Sequence, residues 1–259
     1  MSLLKAELRK VILFFLVVFF TWQILYVVNW ILNGLDWMVA YSIVLVVITC
    51  FFNLDKQKTS DLGLKKPPHW KRYMIIGFAS AIFIILYWVA LSILTLPIML
   101  KEQIFPYGIL SILYNALFAL VVGLVEETSF RGYILSNLRK IYSDTKAIIY
   151  SALLFGLYHI SFVWIILSTM SISEAFTYWS SYVLFTFVVG LFLGYFCVNS
   201  GGTIIGTITH HSAHIFLSSF IPYSLATSFT IGHLVSTSAY IIILSFLFFL
   251  KRKRWLIDN

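Results

Sequence analysis

The stretch of this chain richest in chemistry is Glu126-Glu127-Thr128-Ser129-Phe130-Arg131, which directly follows the apolar run from Ile109 to Val125. The whole sequence holds only 10 acidic residues, and two of them stand here side by side. Charges near hydrocarbon are costly, so those that occur are paired, hydrated or functional. On a helix, Glu127 and Arg131 stand at i and i+4 and can pair. Glu126 points about 100° away from Glu127. Arg131 therefore neutralises one carboxylate readily and leaves the other to meet something else. A salt-bridged helix end at the lipid headgroups would use the same residues, so the stretch means catalysis only in suitable company.

That company is histidine. Of the six histidines, His69 reads as a loop residue and His233 as a residue near a span end. His159, His210, His211 and His214 fall inside apolar segments. An intramembrane histidine is a functional candidate, with a helix-packing hydrogen bond as the plainer alternative. His210 and His214, at i and i+4, share a helix face, and His211 and His214, at i and i+3, are also close. His210 and His211 cannot both point straight into one site. The expectation is that His210, with His214, faces the site and His211 faces a neighbouring helix or lipid.

A carboxylate among imidazoles points to hydrolysis. Glutamate can act as general base towards water, and histidines can hold the same water, bind a divalent metal such as zinc, or donate to a developing oxyanion. The sequence has no HExxH, which excludes an ordinary zincin. A zinc site of Glu126, His159 and His210, with His211 as the alternative to His210, is chemically allowed. Spacing does not show it, because the ligands come from separate segments.

The elements that must carry these residues are membrane helices. The chain has 259 residues, is 61% hydrophobic and only 11% charged, which excludes a soluble domain. Apolar runs long enough to cross fall at 11–33, 37–53, 73–98, 108–130, 147–169, 178–199, 203–221 and 232–250. They lack the alternation of barrel strands, so the expected fold is an all-α, polytopic bundle of eight spans. The first run, Val11 to about Leu32, is too long for a signal peptide and reads as a transmembrane helix. Three regions follow: 1–107, N-terminal spans and a basic loop; 108–220, the catalytic core; 221–259, the last span and a basic tail. Cys50 and Cys197 make neither a metal-ligand spacing nor a disulfide framework.

Charge fixes the expected orientation. With eight spans, Lys101 alone of the 18 Lys and Arg residues falls on the opposite side from the rest. Both termini are then cytoplasmic by the positive-inside rule. The formal net charge of +8 lies where it meets the membrane surface and the lipid bilayer, and no nucleic-acid partner is expected.

At this point the residues resemble a known family. EETSFRGYIL matches the EExxxR motif of the CAAX protease and bacteriocin-processing (CPBP, or Abi) family, and FGLYH, Phe155 to His159, matches its FxxxH motif. GLFLGYF and GGTIIGTITHHSAH, within Val188 to His214, look like the third motif region. The resemblance covers about residues 108–220. It implies an intramembrane endopeptidase with Glu126 as general base, His159 as its partner on the water, and Glu127 with Arg131 as support. A histidine of the seventh span would stabilise the oxyanion or bind metal. The third motif departs from the family pattern: where a histidine is usually followed four positions later by asparagine, His210 is followed by His214. Aligning on Gly202 would select His211 instead. The expected substrate is a peptide or protein segment in or at the membrane, with peptide maturation, prenyl-protein processing or bacteriocin self-immunity as family roles. The rival class is a non-catalytic immunity or binding protein on the same scaffold. A proton-coupled transporter fits less well, since no repeat symmetry or Gly/Pro-broken span pair is visible.

Overall fold

The computed structural model describes residues 2–32, 34–58, 60–95, 108–162, 171–220 and 229–252, and among them there is helix and no strand. In lipid the backbone must satisfy its own hydrogen bonds, and these apolar runs do so as α1 (Ser2–Leu32), α2 (Trp37–Leu54), α3 (Trp70–Thr95), α4 (Ile109–Glu127), α5 (Asp144–Tyr158), α6 (Ile172–Asn199), α7 (Ile205–Ser218) and α8 (Phe229–Arg252). The protein is an all-α, multi-pass membrane bundle.

Among the described residues 6 helices are long and apolar enough to cross a membrane, against the eight spans expected. The two that fall short are α5 and α7. α5 tightens into a 3-10 turn over His159–Phe162, and residues 163–170 lie outside the described set. α7 is only 14 residues long and carries Thr207, Thr209, Ser212 and three histidines, and residues 221–228 after it are likewise outside the described set. α7 lies against α3 and α4 along much of its length, so protein rather than lipid meets its polar side chains. The expected external Lys101-Glu102 lies outside the described residues.

The fourth span also runs further than its hydropathy implied. After Glu127 the chain continues as a π-helical stretch, Thr128–Leu135, every residue of it buried, and then a last turn, Ser136–Leu138. The glutamates thus lie within a long helix rather than at its end. π-Helical insertions are rare and concentrate at functional sites.

Close backbone approaches fix where α7 sits. A Cβ on Gly77 of α3 would collide with the carbonyl oxygen of Gly206 and come within 3.2 Å of the His210 nitrogen. A Cβ on Gly123 of α4 would meet the Ser212 hydroxyl and lie 3.1 Å from its backbone nitrogen. Glycine at both positions lets three helices meet almost backbone to backbone. At one end of the bundle, Asp55 accepts from Tyr133 of the π-helical continuation of α4 at 2.9 Å and pairs with Lys10 of α1 at 3.0 Å. The loop after α2 closes this end: the Gly63 carbonyl accepts from the backbone N–H of Ile204 at 3.0 Å, just before α7. At the other end, Asp36 caps α2 and accepts from Tyr114 of α4 at 2.9 Å.

Candidate active site

The two neighbouring glutamates face different partners, as their helical offset requires. Glu127 is fully buried and its Oε1 accepts from Arg131 Nη1 at 3.0 Å, one turn along. The i, i+4 pairing expected from the sequence is present. Arg131 is held further by the Gly190 carbonyl at 3.5 Å and by the face of Phe155, whose ring centre lies 4.3 Å from the guanidinium carbon. A buried ion pair is stable only when such contacts compensate for lost hydration.

Glu126 turns into a cavity of about 320 Å³ that α1 through α8 all help to line. His159, His210, His211 and His214 line the same cavity, whereas Glu127 and Arg131 stand behind it. Glu126 Oε1 accepts from the Tyr41 hydroxyl of α2 at 3.0 Å. Glu126 Oε2 is buried and has no hydrogen-bond donor among the described residues. Two imidazole nitrogens approach it instead: His211 Nε2 at 3.6 Å and His159 Nε2 at 3.9 Å.

The tautomers follow from the other ring nitrogens. His159 Nδ1 lies 2.7 Å from the Phe155 carbonyl, which can only accept, so Nδ1 carries the proton and donates. The FxxxH spacing thereby gains a physical meaning. Phe155 supports Arg131 with its ring and orients His159 with its backbone. His211 Nδ1 lies 2.8 Å from Glu127 Oε1 and donates to it. Both rings turn Nε2 towards Glu126 Oε2. Gaps of this size between polar groups are where bridging waters sit.

This arrangement corrects the expected division of labour on α7. His211, not His210, reaches the glutamates. His210 is fully buried with both ring nitrogens engaged: Nδ1 with the Ser80 hydroxyl at 2.7 Å and Nε2 with the Tyr240 hydroxyl at 2.8 Å. It joins α3, α7 and α8. His210 and His214 do share a face, with ring centres 6.1 Å apart and planes only 11° from parallel. That face is turned towards Tyr240, because α7 packs on α4 through Ser212 and Gly123, and this register aims the adjacent His211 at the glutamates. The alignment on Gly202, which selects His211, agrees with this placement.

Two residues were not marked by the sequence reading. Tyr41 is one apolar-run tyrosine among 15, and nothing in its surroundings distinguishes it. His233 lines the cavity beside Ser181, 3.2 Å from its hydroxyl, rather than standing apart at a span end. Among the described residues no group of three His, Cys, Asp or Glu side chains is arranged to hold a metal ion, and of the expected ligands it is His159 and the alternative His211 that lie beside Glu126. His210 in particular is turned to Tyr240.

No curated protein matches the chain. Residues 108–217, running from the start of α4 almost to the end of α7 and holding Glu126, Glu127, Arg131, His159 and His211, match the family model described as Type II CAAX prenyl endopeptidase Rce1-like, in agreement with the resemblance drawn from the motifs.

Proposed function

We propose that this protein is an intramembrane endopeptidase of the CAAX-protease kind, with Glu126 as general base. The observation that carries the reading is the buried, donor-free Oε2 of Glu126, faced by two imidazole nitrogens in a cavity large enough for a peptide segment. A water in this gap gives one hydrogen to Glu126 Oε2 and the other to His159 Nε2, and its lone pair then points at the scissile carbonyl. Glu126 takes the proton as the water oxygen adds to the carbonyl carbon. The same carboxyl returns that proton to the leaving nitrogen as the C–N bond breaks. His211, with its Nδ1–H held by Glu127, serves the developing oxyanion as an imidazolium that donates through Nε2–H, the role that the resemblance gives to a histidine of the seventh span. Glu127 and Arg131 hold His211 in its orientation, as partners one layer out commonly do for an imidazole.

The substrate is a peptide or protein segment in or at the bilayer, and a prenylated CAAX-type C-terminus is the first candidate. The test is cleavage by the purified protein in liposomes. A prenylated CAAX peptide and an unprenylated peptide library serve as substrates, read by mass spectrometry beside Glu126→Gln. Glutamine keeps the shape and the bond from Tyr41 but cannot take the proton, so the rate should fall by about 10²–10⁴-fold. A folded Glu126→Gln protein that cleaves like the wild type would remove Glu126 as the base, and a wild type that cleaves no peptide while Glu126→Gln retains a full host phenotype would sink the peptidase reading in favour of a binding scaffold.

A further inference from the structure

α1 and α2 lie outside the segment matched to the family, yet one of their side chains touches the candidate base. Tyr41 is buried, and its hydroxyl stands 3.0 Å from Glu126 Oε1. A phenol facing a carboxylate donates, and such a charge-assisted bond is about twice as strong as a neutral one. The ring is clamped as well: its centre lies 4.6 Å from that of Trp22 of α1 and 5.7 Å, edge to face, from that of Phe118 of α4. Trp22 in turn stacks on Tyr158 of α5, with ring centres 5.8 Å apart. The direction of the hydroxyl is therefore fixed by packing from several helices.

The consequence falls on the two oxygens of Glu126. One is engaged by Tyr41, and the other is left to face His159 and His211. Without the Tyr41 bond the carboxylate could rotate about its last torsion, which is broad for an sp²-terminated side chain. We propose that Tyr41 is a positioning residue for the reaction: its hydroxyl holds Glu126 Oε1 so that Oε2 alone is presented to the water and the imidazoles. This inference rests on the peptidase reading. The N-terminal helices thereby contribute to the site through a residue that no motif in the matched segment contains.

Tyr41→Phe is the test, because it keeps the ring that packs on Trp22 and removes only the donor. In the liposome assay kcat should fall by about tenfold, the size expected for one charge-assisted hydrogen bond, while KM stays within about twofold. A residue that merely packs α2 on α4 would not produce that split. Combined with Glu126→Gln, the same change should add no further loss, since Tyr41 acts through Glu126. A second measurement needs no substrate. The infrared carboxylate bands of Glu126, assigned by difference against Glu126→Gln, should shift in Tyr41→Phe. An unchanged kcat, a further loss on top of Glu126→Gln, or an unshifted band overturns the proposal. If the wild type cleaves no peptide, the peptidase reading fails, and the infrared bands still decide whether Tyr41 holds the carboxylate.

Discussion

His211 donates through Nδ1 to Glu127 Oε1 at 2.8 Å, and this single bond determines which histidine of α7 serves the site. It fixes the orientation of the ring, turns Nε2 towards Glu126, and connects the structural ion pair to the candidate base. His210, one residue earlier, is committed to Ser80 and Tyr240.

The two histidines should therefore fail differently. His211→Ala is expected to fold and to lose most cleavage activity. His210→Ala leaves the buried Tyr240 hydroxyl without its His210 partner, at about 1–3 kcal/mol for an unsatisfied group, takes one of two bonds from the half-buried Ser80 hydroxyl, and should lower the amount of folded protein in the membrane. Thermal melts in detergent beside the liposome assay separate the outcomes. Full activity in His211→Ala would remove it from the site.

The sequence reading failed on this pair for a reason that can be located. Helical periodicity correctly placed His210 and His214 on one face, but it carries no information about which neighbour that face meets. Gly77 and Gly123 decide that, by allowing α3 and α4 to approach α7. Local relationships were legible: Glu127 with Arg131 at i, i+4, and Phe155 before His159. Relationships across helices were not, and Tyr41 with Glu126, separated by 85 residues, is the clearest of them. The π-helical stretch after Glu127 was also invisible, since nothing in the order of its residues, Thr128 to Leu135, separates it from ordinary helix.

The buried ion pair should be a stability element. Glu127→Gln leaves the Arg131 guanidinium without its carboxylate, and breaking such a pair typically costs about 3–5 kcal/mol. The same change weakens the hold on His211, so activity per folded molecule should also fall. A melting temperature equal to that of the wild type would show that Gly190 and Phe155 suffice to hold Arg131.

Topology is open to a direct check. Both termini and the basic connections are expected in the cytoplasm, because Lys101 alone then faces outward among the Lys and Arg residues. Reporter fusions after Ser60, Tyr142 and Trp255 should all report cytoplasm. An external signal at any of the three overturns the orientation.

Acid should loosen the end of the bundle where Asp55 ties α1, α2 and α4 together. Burial alone would raise the Asp55 carboxyl, but bonds from Lys10, Gln57 and Tyr133, with the charge of Lys10, hold it below its ordinary value of 3.8. A carboxyl lowered in the folded state contributes stability above its unfolded value, and loses it as pH falls through the folded value. Wild-type melting temperature should therefore drop below about pH 4, and Asp55→Asn should be less stable at neutral pH and flatter across that range. Parallel pH curves for the two proteins would exclude Asp55 as the source.

The docking of α3 on α7 predicts a large effect from one methyl group. A Cβ at Gly77 would meet the Gly206 carbonyl oxygen and lie 3.2 Å from the Gly206 carbonyl carbon. Both atoms are backbone, so neither can swing aside, and α7 must move as a unit. Overpacking of this kind typically costs about 1–3 kcal/mol. Gly34 is the internal control, because a Cβ there finds only the Leu32 carbonyl oxygen at an ordinary 3.9 Å. Gly77→Ala should lower the melting temperature and, by shifting the helix that carries His211, reduce kcat more than the loss of folded protein explains. Gly34→Ala should do neither. If Gly77→Ala melts with the wild type and keeps its kcat, the close approach of α3 to α7 does not set the position of His211.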